Sequence, residues 1–235
     1  MGVSVALMVA AVSPLWVGTF EAAGVPEAPW AVVQMNKKVP PTRYKVMRMD
    51  GVMGVEAVSE KSMALLARPV RVDLSETPVL CWRWRVDAPV AAADMRKKAG
   101  DDYAARVYVA FEMPKEAMSA GTRFKLGMAR RLFGAPVPDA AVTYVWDNRN
   151  PVGTARKSPY TNRAQLIVAE TGAARAGQWV RERHDVAADF AAAFDGAPGE
   201  VMQVAVASDT DNTGSSARAG FADLHFVGRG QACQF

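Results

Sequence analysis

Two short segments place guanidinium, phenol and carboxylate groups where they can bind a polar ligand. In Leu80-Cys81-Trp82-Arg83-Trp84-Arg85-Val86, a strand would send Leu80, Trp82, Trp84 and Val86 to one face and Cys81, Arg83 and Arg85 to the other. In Tyr103 to Phe111, Val107, Val109 and Phe111 take one face, while Arg106, Tyr108 and Ala110 take the other. Asp101 and Asp102 stand just before that second strand. If both strands share a sheet, Arg83, Arg85, Arg106 and Tyr108 line one polar face with Asp101 and Asp102 at its edge. Bidentate arginine suits carboxylates, and the whole set suits a hydroxyl-rich or anionic ligand. The competing reading is a structural Arg–Asp network that satisfies half-buried charge.

Two further constellations carry chemistry. Tyr144-Val145-Trp146-Asp147-Asn148 ends a strand with aromatics on one face and polar tips at the rim. Sugar sites use such pairs, with a ring against C–H groups and polar tips on hydroxyls. The plainer reading is a core tryptophan followed by turn residues. Asp209, Asp211 and Thr213, with Asn212 nearby, offer alternating oxygens that would suit calcium. No EF-hand pattern accompanies them, and an Asx-turn-rich loop explains them equally. Asp101, Asp102, Asp147, Asp209 and Asp211 also supply candidates for a paired-carboxylate glycoside hydrolase or lyase. The sequence contains no nucleophile elbow, phosphate loop or dinucleotide fingerprint. Neither His184 nor His225 has a partner at ligand spacing.

The elements that must position these groups are short strands. They are expected at Trp30 to Met35, Arg43 to Met49, Val52 to Val58, Ser62 to Arg68, Arg68 to Leu74, Val79 to Val86, Tyr103 to Phe111, Ala141 to Trp146, Ala164 to Glu170, Trp179 to Arg183, Met202 to Ala207 and Ala222 to Val227. Asp50-Gly51 signals a tight hairpin. Two helices are expected. Thr122 to Phe133 carries Phe124, Met128 and Leu132 at helical spacing and a basic back face of Lys125, Arg130 and Arg131, with a stop at Gly134, Pro136 and Pro138. Asp185 to Phe194 carries Val186, Phe190 and Phe194, with Asp185 as its cap. The expected fold is all-β: one antiparallel jelly-roll-like sandwich of carbohydrate-binding-module type with two short helices.

Of the 235 residues, 50% are hydrophobic, enough for one large core. The net charge of +4 is spread along the chain, with no basic run interleaved with aromatics, so no nucleic-acid surface is expected. Residues 1–18 read as a signal peptide or an apolar N-terminal arm, 19–29 as a connector, 30–228 as the sandwich and 229–235 as a tail. Val3 to Val17 has the character of a secretory h-region, with Val9-Ala10-Ala11 for cleavage, but lacks a basic n-region. No later segment would span a membrane. In an exported protein Cys81 and Cys233 could pair across a very long loop, but with one mid-strand and one in the tail the unpaired reading is favoured. They make no zinc site.

The chain resembles a bacterial family known as domain of unknown function 3047. The resemblance rests on Trp82-Arg83-Trp84-Arg85-Val86, Gly100 to Tyr108, Tyr144-Val145-Trp146-Asp147, Asp185 to Phe194 and Asp209 to Gly214, and covers roughly Trp30 to Val227. It implies export, to the periplasm or beyond, and carries over no catalytic residues. The chain departs from the family pattern in its missing n-region and at Ala222-Asp223, where a glycine would precede the aspartate. The residues together point to a binding module for a glycan or another hydroxyl- or carboxylate-bearing ligand. A hydrolase or lyase and a ligand-free envelope protein are the alternatives.

Overall fold

A computed structural model describes residues 12–133 and 137–235. In chain order the strands are β1 (Leu15–Gly18), β2 (Ala31–Val33), β3 (Arg43–Met49), β4 (Val52–Glu60), β5 (Leu65–Val72), β6 (Val79–Val86), β7 (Arg106–Glu112), β8 (Ala140–Asp147), β9 (Ala155–Ser158), β10 (Thr161–Thr171), β11 (Val180–Asp185), β12 (Glu200–Ala207) and β13 (Ser216–Val227). Helix α1 (Ala120–Phe133) follows β7, and α2 (Val186–Phe194) follows β11. One sheet runs β11-β6-β13-β4-β3, with β1 also on β13; the other runs β2-β5-β12-β7-β8-β10-β9. The protein is a two-sheet β-sandwich.

The core lies between the sheets. Leu80, Trp82, Trp84 and Val86 of β6 meet Val107, Val109 and Phe111 of β7 and Val142, Tyr144 and Trp146 of β8 in one buried cluster. Trp82 and Trp84 meet edge to face at 5.4 Å, and Trp84 lies 5.8 Å from Trp146. Such pairs add about 0.5–1.5 kcal/mol each beyond area burial. The period-two pattern therefore assigns the inner faces of β6 and β7 correctly. The Asp50-Gly51 hairpin also forms, with both residues at positive φ between Met49 and Val52.

Several expectations need correction. β6 and β7 belong to different sheets, so Arg83 and Arg85 do not share a face with Arg106 and Tyr108. The sandwich is not wholly antiparallel: β8 and β10 run parallel, because β9 takes the edge and the chain returns between it and β8. The two expected strands on either side of Arg68 are one, β5. Pro69 is tolerated there because β2 pairs β5 only at Leu65, Leu66 and Ala67.

The sandwich is wider than 30–228. β1 pairs with β13 at Leu15↔Phe226, and Val17 is core. Cys81 and Cys233 form a disulfide, overturning the unpaired reading. The strand geometry explains it. Cys81 faces outward on β6, beside Val79 and Val227, and Cys233 folds back onto that apolar spot. Residues 1–11, with the expected cleavage stretch Val9-Ala10-Ala11, lie outside the described residues, as do Gly134 and Pro136.

Candidate functional site

The register of the seven-stranded sheet builds a polar cluster on its outer face. β12 pairs with β7 so that Ala207 lies opposite Arg106. The chain leaving β12 therefore brings Asp209 beside that arginine. Asp209 N–H donates to the Tyr103 carbonyl at 3.1 Å, and Tyr103 N–H donates back to Asp209 Oδ1 at 3.1 Å. Arg106 Nε donates to Asp209 Oδ1 at 2.8 Å, Nη2 bonds Oδ2, and Nη1 reaches Asp101 Oδ1 at 3.3 Å. Arg106 is only 4% exposed, so its charge must be met within the protein.

Asp102 holds the neighbouring loop. Its Oδ2 accepts from both the backbone N–H and the hydroxyl of Thr213, each at 2.6 Å, and its Oδ1 accepts from Asn212 Nδ2 at 3.1 Å. Oxygens of Asp102, Asp209 and Asp211 lie within 4.8 Å of one another. That trio, rather than Asp209, Asp211 and Thr213, is what the geometry would offer a hard cation, since the Thr213 hydroxyl is turned to Asp102. Asp101 and Asp209 bond the Arg106 guanidinium, and Asp102 and Asp211 stand beside Asp209. Burial, opposed by Arg106 and reinforced by Asp102 and Asp101, pushes the Asp209 carboxyl up to about 7. Burial and then Asp102 also raise Asp211.

This cluster forms one end of a cleft of about 1170 Å³. Arg106 and Tyr108 of β7 and Ala140 and Ala141 of β8 form its floor. Thr122 and Leu126 of α1, Met35 and Asn36 after β2, and Tyr160 to Ala164 around the β9–β10 turn line the rest. Helix α1 begins where Ser119 Oγ accepts the Thr122 N–H at 3.2 Å. Tyr160 donates its hydroxyl to Asn212 Oδ1 at 2.6 Å, linking the β9–β10 turn to the aspartate loop. Burial raises Tyr108 and Tyr160 above the ordinary phenol range, so both hydroxyls stay protonated as donors.

The structure brings together Asp101, Asp102, Arg106, Tyr108, Asp209, Asp211 and Thr213 and separates Arg83, Arg85, Trp146, Asp147 and Asn148 from them. Arg83 binds Asp223 through Nε and Nη2 on the opposite, six-stranded sheet. Arg85 binds Asp50 and reaches Asp87 at 3.2 Å. Arg218 extends this network to Glu56 at 2.7 Å and Asp87 at 3.2 Å. On that face these arginines meet carboxylates of the chain itself. Trp146 is no sugar platform: it is wholly buried, and its Nε1–H donates to the Gly172 carbonyl at 2.9 Å. Asp147 caps its own turn, accepting from Arg149 N–H at 2.8 Å and Asn150 N–H at 2.7 Å. Asn148 ties the loop before β7 through the Ala91 and Ala93 carbonyls.

Sequence reading missed Tyr160, Asn162, Thr122 and Leu126. The signal nearest to hand was Ser158-Pro159-Tyr160-Thr161, a turn between two strands, of which β9 is short and was not expected. The helix α1 stripe also differs. Leu126 is buried, whereas Phe124 and Met128 are exposed. The histidines gain partners. His184 packs against the Trp82 and Tyr144 rings, with Asp189 at 3.7 Å and Glu182 at 3.8 Å. His225 stacks on Trp16 at 4.3 Å, and its Nε2 accepts from the Gln234 N–H.

Fold and site together define a β-sandwich with a polar cleft on the outer face of its larger sheet. The chain belongs to the family described as "Protein of unknown function (DUF3047)", whose profile matches residues 28–225. Among curated proteins, none matches this chain in sequence. Among solved structures it is similar to the family 30 carbohydrate-binding module of a cellulosomal cellulase of Clostridium thermocellum. That match is 8% identical, covers 93% of this chain and 95% of that one, and has a TM-score of 0.36. No helix among the described residues is long and apolar enough to cross a membrane.

Proposed function

We propose that this protein is an exported binding module whose cleft over the seven-stranded sheet takes a hydroxyl-rich ligand, a glycan segment. The observation that carries this reading is the state of Arg106. Its guanidinium is consumed by Asp209 and Asp101, so that end of the cleft presents acceptor oxygens in excess over cationic donors. Carboxylates accept from hydroxyls and Tyr108 donates, while the Tyr160 oxygen, whose proton goes to Asn212, can accept. At that end an organic acid would meet like charge, so a neutral polyol is favoured there, while Arg163 of β10 lines the cleft further along. Met35, Met63, Leu126 and Tyr160, all in the cleft lining, supply apolar surface for the C–H faces of a sugar. The Cys81–Cys233 disulfide fits an oxidising compartment and supports export.

A hydrolase at this site would need a carboxyl free to hand its proton to a substrate. Asp209, the carboxyl with the most raised pKa of the cluster, has one oxygen bonded to Arg106 and Tyr103 and the other to Arg106. This arrangement favours binding over turnover. A glycan array followed by calorimetry, on the native chain and on Asp211→Asn and Tyr160→Ala, tests the proposal. At least about tenfold weaker binding is expected for each variant, the worth of one well-placed hydrogen bond to a charged or buried group. Binding to no glycan would overturn it. Release of reducing sugar that disappears in Asp102→Asn would replace it with the hydrolase reading.

A further inference from the structure

Helix α1 has two apolar faces, and the cleft uses only one. Thr122 and Leu126, four residues apart, line the cleft. Phe124 and Met128, two positions further on, fall on the opposite side of a helix with 3.6 residues per turn. They are 69% and 49% exposed. A surface helix needs one apolar stripe to dock on its own protein; a second, solvent-facing stripe is unused by the fold. The same helix carries Arg123, Lys125, Arg130 and Arg131 and no acidic residue.

We infer that α1 is a peripheral membrane-docking helix that lays Phe124 and Met128 into an anionic lipid surface. Apolar side chains flanked by arginine and lysine on one exposed helix are what such a surface recognises: the rings and thioethers enter the acyl boundary while the cations meet lipid phosphates. A protein partner of mixed charge would not account for a helix wholly free of acids. The placement also has a geometric consequence. The cleft wall and the lipid-facing stripe are opposite sides of one helix, so a docked protein holds its cleft alongside the membrane.

The test is co-sedimentation of the full chain with vesicles of phosphatidylglycerol and phosphatidylcholine in equal parts, and with phosphatidylcholine vesicles alone. Pelleting with the first and not the second is expected, weakening as salt is added. F124S/M128S is expected to lower partitioning by about tenfold with an unchanged circular dichroism spectrum, because both side chains are exposed in the folded chain. Should that variant misfold, Arg123→Gln with Lys125→Gln serves instead and is expected to lose the preference for the anionic vesicles. No pelleting with phosphatidylglycerol, equal binding to both vesicles, or full binding by the variants overturns the inference. So does a dimer in sedimentation velocity that F124S/M128S abolishes without any vesicle binding, since the stripe then faces a second copy of the chain.

Discussion

Arg106 and Asp209 form a buried bidentate pair, one from the first residue of β7 and the other two residues beyond the end of β12. Neither side chain is more than 4% exposed. Arg106→Met would leave the Asp209 carboxylate without its counter-charge. A loss of about 3–5 kcal/mol in urea unfolding is expected, the usual cost of breaking a buried pair from one side. Combining it with Asp209→Leu should recover much of that loss, and an additive double variant would show that the two residues are not coupled.

Arg83 and Asp223 make a different kind of pair, on the outer face of the six-stranded sheet, away from the cleft. Arg83→Met should lower stability by about 1–3 kcal/mol, because a partly buried carboxylate loses its charged donor. Ligand affinity should not move. Weaker glycan binding in this variant, with a native thermal transition, would place the site on the wrong sheet.

His184 supplies a pH dependence. Burial alone lowers its pKa, but the carboxylates of Asp189 and Glu182 outweigh that and raise it above the ordinary imidazole value. Tyr144 also donates its hydroxyl to Asp189 at 2.7 Å. A group with a raised folded pKa contributes stability that is complete below its unfolded pKa and is lost as pH rises through the folded one. Thermal stability should therefore fall on raising pH from below about 6.5, the unperturbed imidazole value, through the folded value. His184→Gln should flatten that segment of the profile, and an NMR titration of the ring should locate the midpoint above that of a free histidine.

The Cys81–Cys233 bridge spans 152 residues of chain. On the chain-entropy account such a loop contributes about 5 kcal/mol by restricting the unfolded state. Cys233→Ala should lower unfolding stability by that order, and a reductant titration of the native protein should give the same loss with no change at the cleft. Equal stability with and without the bridge would show that the tail contributes nothing to the sandwich.

Much of the fold was legible because period-two alternation is a local signal. The inner faces of β6 and β7 follow from Trp82, Trp84, Val107 and Val109 alone. Which sheet each strand joins is not local. Arg83 and Arg106 stand on strands of the same pattern, yet one sheet takes β6 and the other β7, so the shared polar face dissolved into two. The cluster of Asp101, Asp102, Arg106 and Asp209 could be read as chemistry-bearing residues, but its assembly depends on the β7–β12 register. Trp146 misled because a strand-end aromatic looks alike whether it faces solvent or the sandwich interior. Tyr160 escaped because its role comes from a hydrogen bond to Asn212 across 52 residues.

The disulfide fixes more than stability. It anchors the final residues on the outside of the six-stranded sheet, while the cleft opens on the outside of the other. The two surfaces point in opposite directions through the thickness of the sandwich. Anything joined to the chain at Phe235, whether a bead, a sensor chip or a fused enzyme, would therefore sit behind the protein and leave the cleft presented outward. The molecule has a built-in front and back for display, and its carboxyl end marks the back.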